Sequence, residues 1–318
     1  MVTKTARGRR ILVTGGAGFV GSHLVERLIA EEHEVVVVDN LSTGNRDNLA
    51  HVIRHTEFRH LDVCGPDLEQ LLSDQAFDII FHLAANAYVP PSVERPDWDF
   101  DTNLMATFRL LEMLRRSRWQ GTLVYASSAA VYGNPARIPV QEADPTVPVS
   151  PYGVSKLASE RYIAVYAQLY GLRAASLRLF SVFGPRQRKQ VVYDFIRKLH
   201  DNPRELYMYG DGSQVRDFNY VQNMVDAALL IAERGKLEGE VYNVASGRAC
   251  STLELARAIC AVMGIQPEIK FSGSVRPGDP EKWIADIGVL KSLGYRVRVS
   301  LEEGIKRTIE WYRDIFKK

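Results

Sequence analysis

Short apolar runs alternate with longer amphipathic stretches along roughly the first half of the chain. The runs have four to seven residues, which is typical of strands buried in a parallel sheet, and they lie at residues 11–14, 35–39, 58–62, 77–83, 123–126 and 174–180. The stretches between them carry apolar residues three and four positions apart, which predicts helices at residues 20–31, 67–73, 97–117 and 152–170. Joined by right-handed crossovers, these elements predict an α/β fold with a doubly wound (Rossmann) parallel sheet.

Beyond residue 180 the pattern becomes less regular and is punctuated by glycine and proline pairs such as Gly184-Pro185. Helices are predicted there at residues 191–200, 223–234, 252–263 and 301–316, and short strands at 206–209 and 241–244. We interpret this part as a smaller C-terminal α/β lobe. The predicted division assigns residues 1–182 and 217–247 to the Rossmann domain, and residues 183–216 and 248–318 to the lobe.

The composition is that of an ordinary folded protein. The chain has 318 residues, 46% of them hydrophobic and 25% charged, with a formal net charge of +2. These values exclude collagen-like and disordered chains, and so small a charge predicts neither a nucleic-acid nor a membrane partner. No apolar tract reaches the about 18 residues that span a bilayer. Three cysteines without the close spacing of a zinc site predict reduced thiols and no metal site. Glycines from Gly15 onward interrupt the apolar run that follows the basic N-terminus, so a cytoplasmic location is predicted rather than a signal peptide.

A glycine-rich segment, residues 15–21, directly follows the first predicted strand and opens the first predicted helix. In that position Gly15 permits a tight turn, Gly18 lets backbone N–H groups approach a pyrophosphate, and Gly21 lets the helix pack closely on the sheet. Phe19 and Val20 stand at the helix N-terminus, where partial positive charge favours phosphate. The segment therefore predicts a dinucleotide site.

The next predicted strand ends in Asp39, which lies 18 residues beyond Gly21. A carboxylate at this place accepts hydrogen bonds from both hydroxyls of a ribose and repels a 2′-phosphate. The following residues, beginning with Asn40, include no Arg or Lys that could pair with such a phosphate. The dinucleotide is therefore predicted to be NAD rather than NADP, with Asn40 also at the cofactor.

Tyr152 and Lys156 are four residues apart, so they share one face of the predicted helix. One positive charge about 4 Å from a phenol contributes roughly 4 kcal/mol at an effective dielectric of about 20, or about three pKa units. Lys156, aided by a nicotinamide cation, is therefore expected to hold Tyr152 partly as phenolate near neutral pH. Ser128 follows the fifth predicted strand, at the sheet edge where ligands bind, and can donate to a reacting hydroxyl.

Together these motifs resemble the extended short-chain dehydrogenase/reductase family, in its NAD-dependent nucleotide-sugar epimerase and dehydratase branch. The resemblance covers essentially the whole chain and rests on residues 15–21, Asp62-Val63, residues 82–85, Asn103, Ser127-Ser128, residues 152–156 and residues 178–186. It implies that the cofactor is contacted at the adenine by Asp62 and Val63 and on the nicotinamide side by Leu83, Ala84 and Ala85, while Asn103 braces the central helix.

The resemblance also implies a chemistry. Ser128 and Tyr152 are expected to bind the C4 hydroxyl of a sugar, with Tyr152 removing its proton while a hydride passes to NAD, and Lys156 also binds the nicotinamide ribose. Ala129 and Ala130 stand where dehydratase relatives carry an Asp-Glu pair and where decarboxylating relatives carry a Glu. Water elimination needs an acid and a base at these positions, and alanine can be neither. The resemblance therefore implies C4 epimerisation of a UDP-hexose instead. The alternative is an NAD-dependent reductase or dehydratase of the same family.

The same resemblance assigns the nucleotide sugar to further side chains. Planar arginine forks suit a diphosphate, and the implied substrate-binding residues are Ser127, Ser128, Ser181, Arg188, Tyr207, Arg216, Arg276, Asp279 and Trp283. Ser181 with Arg188 favours a C6 carboxylate, whereas Trp283 favours an unsubstituted hexose. The pairs UDP-glucose/UDP-galactose and UDP-glucuronate/UDP-galacturonate therefore both stay open.

The resemblance implies a homodimer formed through the predicted helices at residues 97–117 and 152–170. Two hypotheses from other classes are a redox-sensing NAD-binding protein and a nucleic-acid-binding member of the fold. Both are disfavoured because Tyr152 and Lys156 are present and the net charge is near zero.

Overall fold

A computed structural model describes residues 8–273 and 282–316 of the chain. Its strands are β1 Arg10–Thr14, β2 Glu34–Asp39, β3 Thr56–His60, β4 Ile79–His82, β5 Thr122–Ser128, β6 Arg173–Leu179, β7 Ser181–Phe183, β8 Glu205–Met208, β9 Val215–Arg216, β10 Phe218–Tyr220, β11 Glu238–Val244, β12 Cys250–Ser251 and β13 Glu268–Phe271. Seven of them form one sheet in the order β11-β6-β5-β4-β1-β2-β3. The six strands from β3 to β6 have the order of a dinucleotide-binding fold, which confirms the predicted doubly wound sheet.

The helices are α1 Phe19–Ala30, α2 Pro66–Asp74, α3 Val89–Glu94, α4 Pro96–Asp99, α5 Ala106–Arg116, α6 Pro151–Tyr170, α7 Gln190–Asp201, α8 Val221–Arg234, α9 Thr252–Met263, α10 Gly288–Ser292 and α11 Leu301–Phe316. A π-helical segment, Phe100–Met105, joins α4 to α5. Helix α6 has clear boundary signals, since the Ser150 side chain accepts from Gly153 N–H, Pro151 occupies the first turn, and Gly171 ends the helix at a left-handed φ of 68°.

The core of the sheet is apolar on the face that α2, α5 and α6 cover. Residues of β1, β2 and β5 such as Leu12, Val36 and Leu123 are fully buried and pack with Leu110 of α5 and Ile163 of α6 in one cluster. The parallel register places Leu12 opposite Val36, so the ends of neighbouring strands coincide at one edge of the sheet. That edge carries the glycine segment, Asp39 and Ser128.

The described residues fall into two compact units. The first takes its residues from Met1–Gly133, Pro148–Arg178 and Val225–Tyr242, and the second from Asn134–Val147, Leu179–Met224 and Asn243–Lys318. Within the second unit, β7 pairs with β10, β8 with β13, and β9 with β12. Residues 134–147 belong to the second unit because Val140 forms a β-bridge with Ala285, and its carbonyl accepts from the Asn243 side chain. The functional division into a cofactor domain and a sugar lobe stays a prediction.

Most predicted elements are present with ends shifted by one to three residues. Strand β3 lies two residues earlier than predicted, because it pairs with β2 from Thr56 to His60, and Asp62 therefore lies in the loop after it. The short strands β7, β9, β10, β12 and β13 and the helices α3 and α10 carry no periodic signal of useful length and were not predicted. Across the residues described, no helix has the length and apolarity needed to cross a bilayer.

Candidate active site

The glycine segment forms a tight cradle between β1 and α1. Gly15 has a φ of 71°, and a Cβ added to it would lie 2.7 Å from the backbone nitrogen of Ala84. A Cβ on Gly21 would lie 2.2 Å from the carbonyl oxygen of Gly15. Helix α1 begins at Phe19 after an extended Gly18, and no side chain caps it among the described residues. Its first N–H groups are thus available to an anion, as a pyrophosphate requires.

Asp39 lies at the end of β2 and is tied to the glycine segment. Its Oδ2 accepts from Ala17 N–H at 2.9 Å, and its Oδ1 accepts from Leu41 N–H at 2.8 Å. The side chain is buried, and this burial raises the pKa of its carboxyl. An ionised carboxylate has about four acceptor positions, so two remain for the hydroxyls of a ribose.

The predicted adenine residues lie together in the loop after β3. Asn40 Nδ2 donates to Asp62 Oδ2 at 2.9 Å, and Asp62 Oδ1 accepts from Cys64 N–H at 2.8 Å. Val63 between them is buried in the core cluster. The structure thus brings Asn40, Asp62 and Val63 to one side of the sheet edge. The contact of Asp62 and Val63 with adenine and that of Asn40 with the cofactor stay predictions.

A directed chain of hydrogen bonds links β1, β4 and the helix that follows. Ala84 N–H donates to the Thr14 hydroxyl, which lies 2.7 Å from His82 Nδ1. His82 Nε2 lies 3.1 Å from the Thr107 hydroxyl, which donates to the Asn103 carbonyl at 2.7 Å. Because the Thr107 hydroxyl donates its proton to that carbonyl, it can only accept from His82. The His82 ring therefore carries its proton on Nε2 and accepts at Nδ1. This chain fixes the loop with Ala84 and Ala85 relative to Asn103.

His82 should make the protein lose stability in acid. Burial lowers the pKa of the ring to about 3 from 6.5, so below about pH 6.5 the unfolded ring binds a proton that the folded ring refuses. The free energy of unfolding should therefore fall about 1.4 kcal/mol faster per pH unit in the wild type than in His82→Asn from about pH 6 to pH 4. Urea titrations at each pH measure this slope. Equal slopes for the wild type and His82→Asn would contradict the assignment.

Ser128, Tyr152 and Lys156 meet in the first unit. Ser128 ends β5, and its Oγ accepts from Ala130 N–H at 3.2 Å. Tyr152 is buried at the start of α6 and hydrogen-bonds with Ser128. One turn further along, Lys156 is also buried, with its Nζ donating to the Ala126 carbonyl at 2.7 Å and lying 6.0 Å from the centroid of the Tyr152 ring. The spacing of Tyr152 and Lys156 therefore places both on the face of α6 that covers Ser128.

Gly153 explains why α6 can approach β5 so closely. A Cβ at this position would lie 2.7 Å from the Ala130 carbonyl oxygen and 2.9 Å from Pro148 Cβ. The preceding N–H, that of Tyr152, donates to Ser92 Oγ at 3.1 Å, which ties the start of α6 to α3. The turn after Ser128 and the first turn of α6 are consequently in backbone contact.

Burial bears on the expectation that Lys156, aided by a nicotinamide cation, holds Tyr152 partly as phenolate. Burial raises the pKa of Tyr152 to about 12, against the lowering effect of its hydrogen bond with Ser128. Burial lowers the pKa of Lys156 to about 7. The spacing of Tyr152 and Lys156 in the sequence carries no information about burial. Burial disfavours both the phenolate of Tyr152 and the ammonium form of Lys156. A phenolate at Tyr152 thus needs positive charge beyond that of Lys156.

A buried ion pair lies beneath the turn that follows Ser128. The pairing was not predicted from the sequence. Arg178 Nη2 lies 2.8 Å from Glu160 Oε2, and both side chains are almost fully buried. Ser127 Oγ donates to Glu160 Oε1, and Arg178 Nη1 donates to the Tyr132 hydroxyl. The Ser127 hydroxyl thus supports the turn from inside the protein, and the predicted role of Ser127 in substrate binding stays a prediction.

The second unit contains the other predicted sugar residues. The Arg216 guanidinium lies 5.7 Å from the centroid of the Trp283 ring, and Trp283 N–H donates to the carbonyl of neighbouring Val215. Ser181 begins β7, Arg188 is exposed in the loop before α7, and Tyr207 of β8 is exposed. Arg276 and Asp279 lie outside the described residues. Only Arg216 and Trp283 of this set are brought into direct contact among the residues described, and the substrate roles of all of them stay predictions.

Comparisons with known proteins agree with this geometry. The chain matches the model of the NAD dependent epimerase/dehydratase family over residues 11–245. It is 37% identical over 308 residues to a putative UDP-glucose 4-epimerase of Methanocaldococcus jannaschii, covering 96% of this chain and 98% of that one. It also resembles the structure of the UDP-glucose 4-epimerase of Thermus thermophilus in complex with NAD, with a TM-score of 0.87, 37% identity, and 96% and 99% of the two chains covered.

A third similar structure is that of UDP-glucuronic acid 4-epimerase from Bacillus cereus in complex with UDP-glucuronic acid and NAD. The TM-score is 0.88 and the identity 30%, with 96% of this chain and 99% of that chain covered. These similarities extend over nearly the whole chain. The chain therefore belongs to the NAD dependent epimerase/dehydratase family, which confirms both the predicted family and the predicted use of NAD.

Proposed function

We propose that the protein is a UDP-hexose 4-epimerase that oxidises C4 of the sugar and returns the hydride to the opposite face. The observation that carries this proposal is the meeting of Ser128, Tyr152 and Lys156 beside the glycine segment in the first unit. Support comes from three relatives of similar length that are named as UDP-sugar 4-epimerases, one of them as a putative one.

The residues of this chain divide the work. When bound, NAD accepts and returns the hydride, and its nicotinamide supplies the positive charge that the buried Tyr152 phenol needs to ionise. Tyr152 takes the C4 hydroxyl proton and gives it back, while Ser128 donates to the same oxygen. Lys156 binds the nicotinamide ribose and adds positive charge beside Tyr152. Asp39 and the α1 N-terminus bind the adenosine ribose and the pyrophosphate.

Two small side chains argue against the dehydratase alternative. Ala129 and Ala130 follow Ser128 directly and are both buried. Neither can protonate a leaving hydroxyl or remove a C5 proton, so 4,6-elimination lacks both groups there. For a ketosugar formed at this site, return of the hydride to the opposite face needs no further residue. The sugar only has to rotate in its site first.

UDP-glucose and UDP-galactose are proposed as the first substrate pair. Trp283 supports this choice. Its bulky ring, which lies beside Arg216, favours a compact hexose without a substituent over a larger one. UDP-glucuronate and UDP-galacturonate form the second pair. Arg188 favours this pair, because it is exposed, forms no ion pair in the described part of the chain and suits a C6 carboxylate.

Purified protein without added cofactor tests the proposal. It is incubated with UDP-glucose and separately with UDP-glucuronate, and the C4 epimers are resolved by chromatography while absorbance near 340 nm is followed. Interconversion of one pair without net NADH supports the 4-epimerase and selects the sugar. A ketosugar that accumulates with NADH, or no reaction with either, would overturn the proposal.

The protein is further proposed to be a cytoplasmic homodimer that pairs through α5 and α6. Helix α6 exposes an apolar stripe that includes Val154, Tyr162, Val165 and Leu169, where a surface helix normally carries polar residues. Ile163 and Tyr166 face the core instead. The cytoplasmic location is supported by the free thiols of the three cysteines, which fit a reducing compartment.

Leu169→Asp should weaken the proposed dimer. Leu169 is 68% exposed in the single chain, so aspartate there costs the fold little but leaves an unpaired carboxylate in an interface. The dimer dissociation constant should rise about tenfold or more, as measured by light scattering across a dilution series. Val297→Asp, at an exposed apolar position in the second unit, should leave it unchanged. A wild-type monomer, or a Leu169→Asp dimer of wild-type affinity, would contradict the α6 interface.

A further inference from the structure

Asp99 places a carboxylate in the interior of the first unit beside the start of α6. Its side chain is fully buried at the end of α4. Oδ1 accepts from Asn86 Nδ2 at 2.8 Å and from Asn103 Nδ2 at 2.9 Å, and Oδ2 accepts from Ser155 Oγ at 2.8 Å. All three donors are neutral, and within residues 8–273 and 282–316 Asp99 forms no ion pair. The acceptor-only pattern is that of an ionised carboxylate whose charge no hydrogen-bonding neighbour cancels.

The buried cation that Asp99 can serve is Lys156, the residue after Ser155. Its ammonium group donates to Ala126 and lies 4.8 Å from the centroid of the Tyr125 ring. Two carboxylates, Asp99 and Glu160, favour its charged form. Glu160, however, is already paired with Arg178. Among the described residues, other titratable groups that act on Lys156 or Tyr152 are His82, Tyr88 and Tyr125.

We propose that Asp99 is a positioning residue that keeps Lys156 an ammonium ion and, through Ser155, fixes the first turn of α6. The proposal rests on the proposed function only in assigning Lys156 its role in the reaction. Burial of an ammonium group favours its neutral form, and an opposite charge nearby offsets that penalty. Asp99 therefore supplies the negative charge, and Asn86 and Asn103 hold its carboxylate in place.

Asp99→Asn tests the charge with little change of shape. The asparagine carbonyl can take the place of Oδ1, and its amide can donate to Ser155 Oγ, whose hydroxyl then accepts. In protein labelled with ¹³C at lysine Cε, compared at matched NAD content, Lys156 should titrate at least about one pH unit lower in Asp99→Asn than in the wild type. Lys156→Met identifies the resonance. Asp97→Asn removes an exposed acid from the same helix and should not shift the titration.

Ser155→Ala separates charge from hydrogen bonding, because it removes one donor to Asp99 and no charge. A titration of Lys156 that is unchanged in Asp99→Asn, or that Ser155→Ala shifts equally, overturns the proposal. If Asp99→Asn does not fold, Asp99→Ser decides instead, because its hydroxyl keeps a hydrogen-bonding group at this place without the charge. The same lower titration of Lys156 is expected there, and an unchanged titration overturns the proposal. No readout needs substrate, so a protein without epimerase activity would contradict the proposed function alone.

Discussion

Tyr152→Phe should lower kcat for C4 epimerisation by about 10² to 10⁴-fold, the usual contribution of a positioned acid–base group. The ring stays buried at the start of α6, and only the hydroxyl that bonds with Ser128 is lost. The fold and the cofactor cradle should therefore persist. The measurement is the initial rate of UDP-galactose formation from UDP-glucose, together with the NAD content of the purified variant.

Tyr166→Phe is the matched control on the same helix. Its ring is also buried, and its hydroxyl donates to Glu112, away from Ser128. Turnover by this variant should equal that of the wild type. If Tyr152→Phe kept kcat within about threefold of the wild type, Tyr152 would not be the proton acceptor, and the catalytic assignment would be wrong.

Gly21→Ala should abolish retention of NAD. The added Cβ would overlap the Gly15 carbonyl oxygen at 2.2 Å, and both atoms belong to backbone that cannot rotate away. Helix α1 must then move off β1, at a cost toward the upper end of overpacking, about 3 kcal/mol. Its N-terminus would no longer face a pyrophosphate. Release of NAD from acid-denatured protein measures the occupancy, and urea unfolding measures the stability.

Gly264→Ala separates loss of stability from loss of the cofactor. Gly264 ends α9 at a φ of 71° with no atom within 4 Å of an added Cβ, so alanine there strains the backbone without a clash. It should lower the free energy of unfolding by about 1 kcal/mol and leave NAD retention unchanged. Retention of NAD by Gly21→Ala at the wild-type level would contradict the role assigned to the glycine segment.

The cofactor cradle was predictable because its signals are local in sequence. A strand, four glycines and the start of a helix within residues 10–21 specify one turn geometry, and Asp39 ends the neighbouring strand. Tyr152 and Lys156 were predictable for the same reason, since a helix places residues four apart on one face. The structure added the reason for their approach to Ser128, which is the missing side chain of Gly153.

The electrostatics of the site were not predictable, because they depend on partners far apart in the chain. Asp99 and Ser155 are 56 residues apart, and neither stands in a pattern that predicts the other. The Glu160–Arg178 pair likewise joins α6 to β6. The effect of burial on Tyr152 and Lys156 was missed because burial is a property of the packed fold. Strands β7 and β10 were missed because three residues carry no usable periodicity.

In the proposed C4 epimerisation, the hydride that leaves C4 returns to the same carbon without leaving the protein. UDP-glucose carrying deuterium at C4 tests this most directly, when it is incubated in ordinary water and the UDP-galactose formed is analysed by mass spectrometry and proton NMR. A 4-epimerase of this kind should retain the deuterium fully at C4 of the product. Exchange of that deuterium with solvent, or its appearance in free NADH, would contradict it.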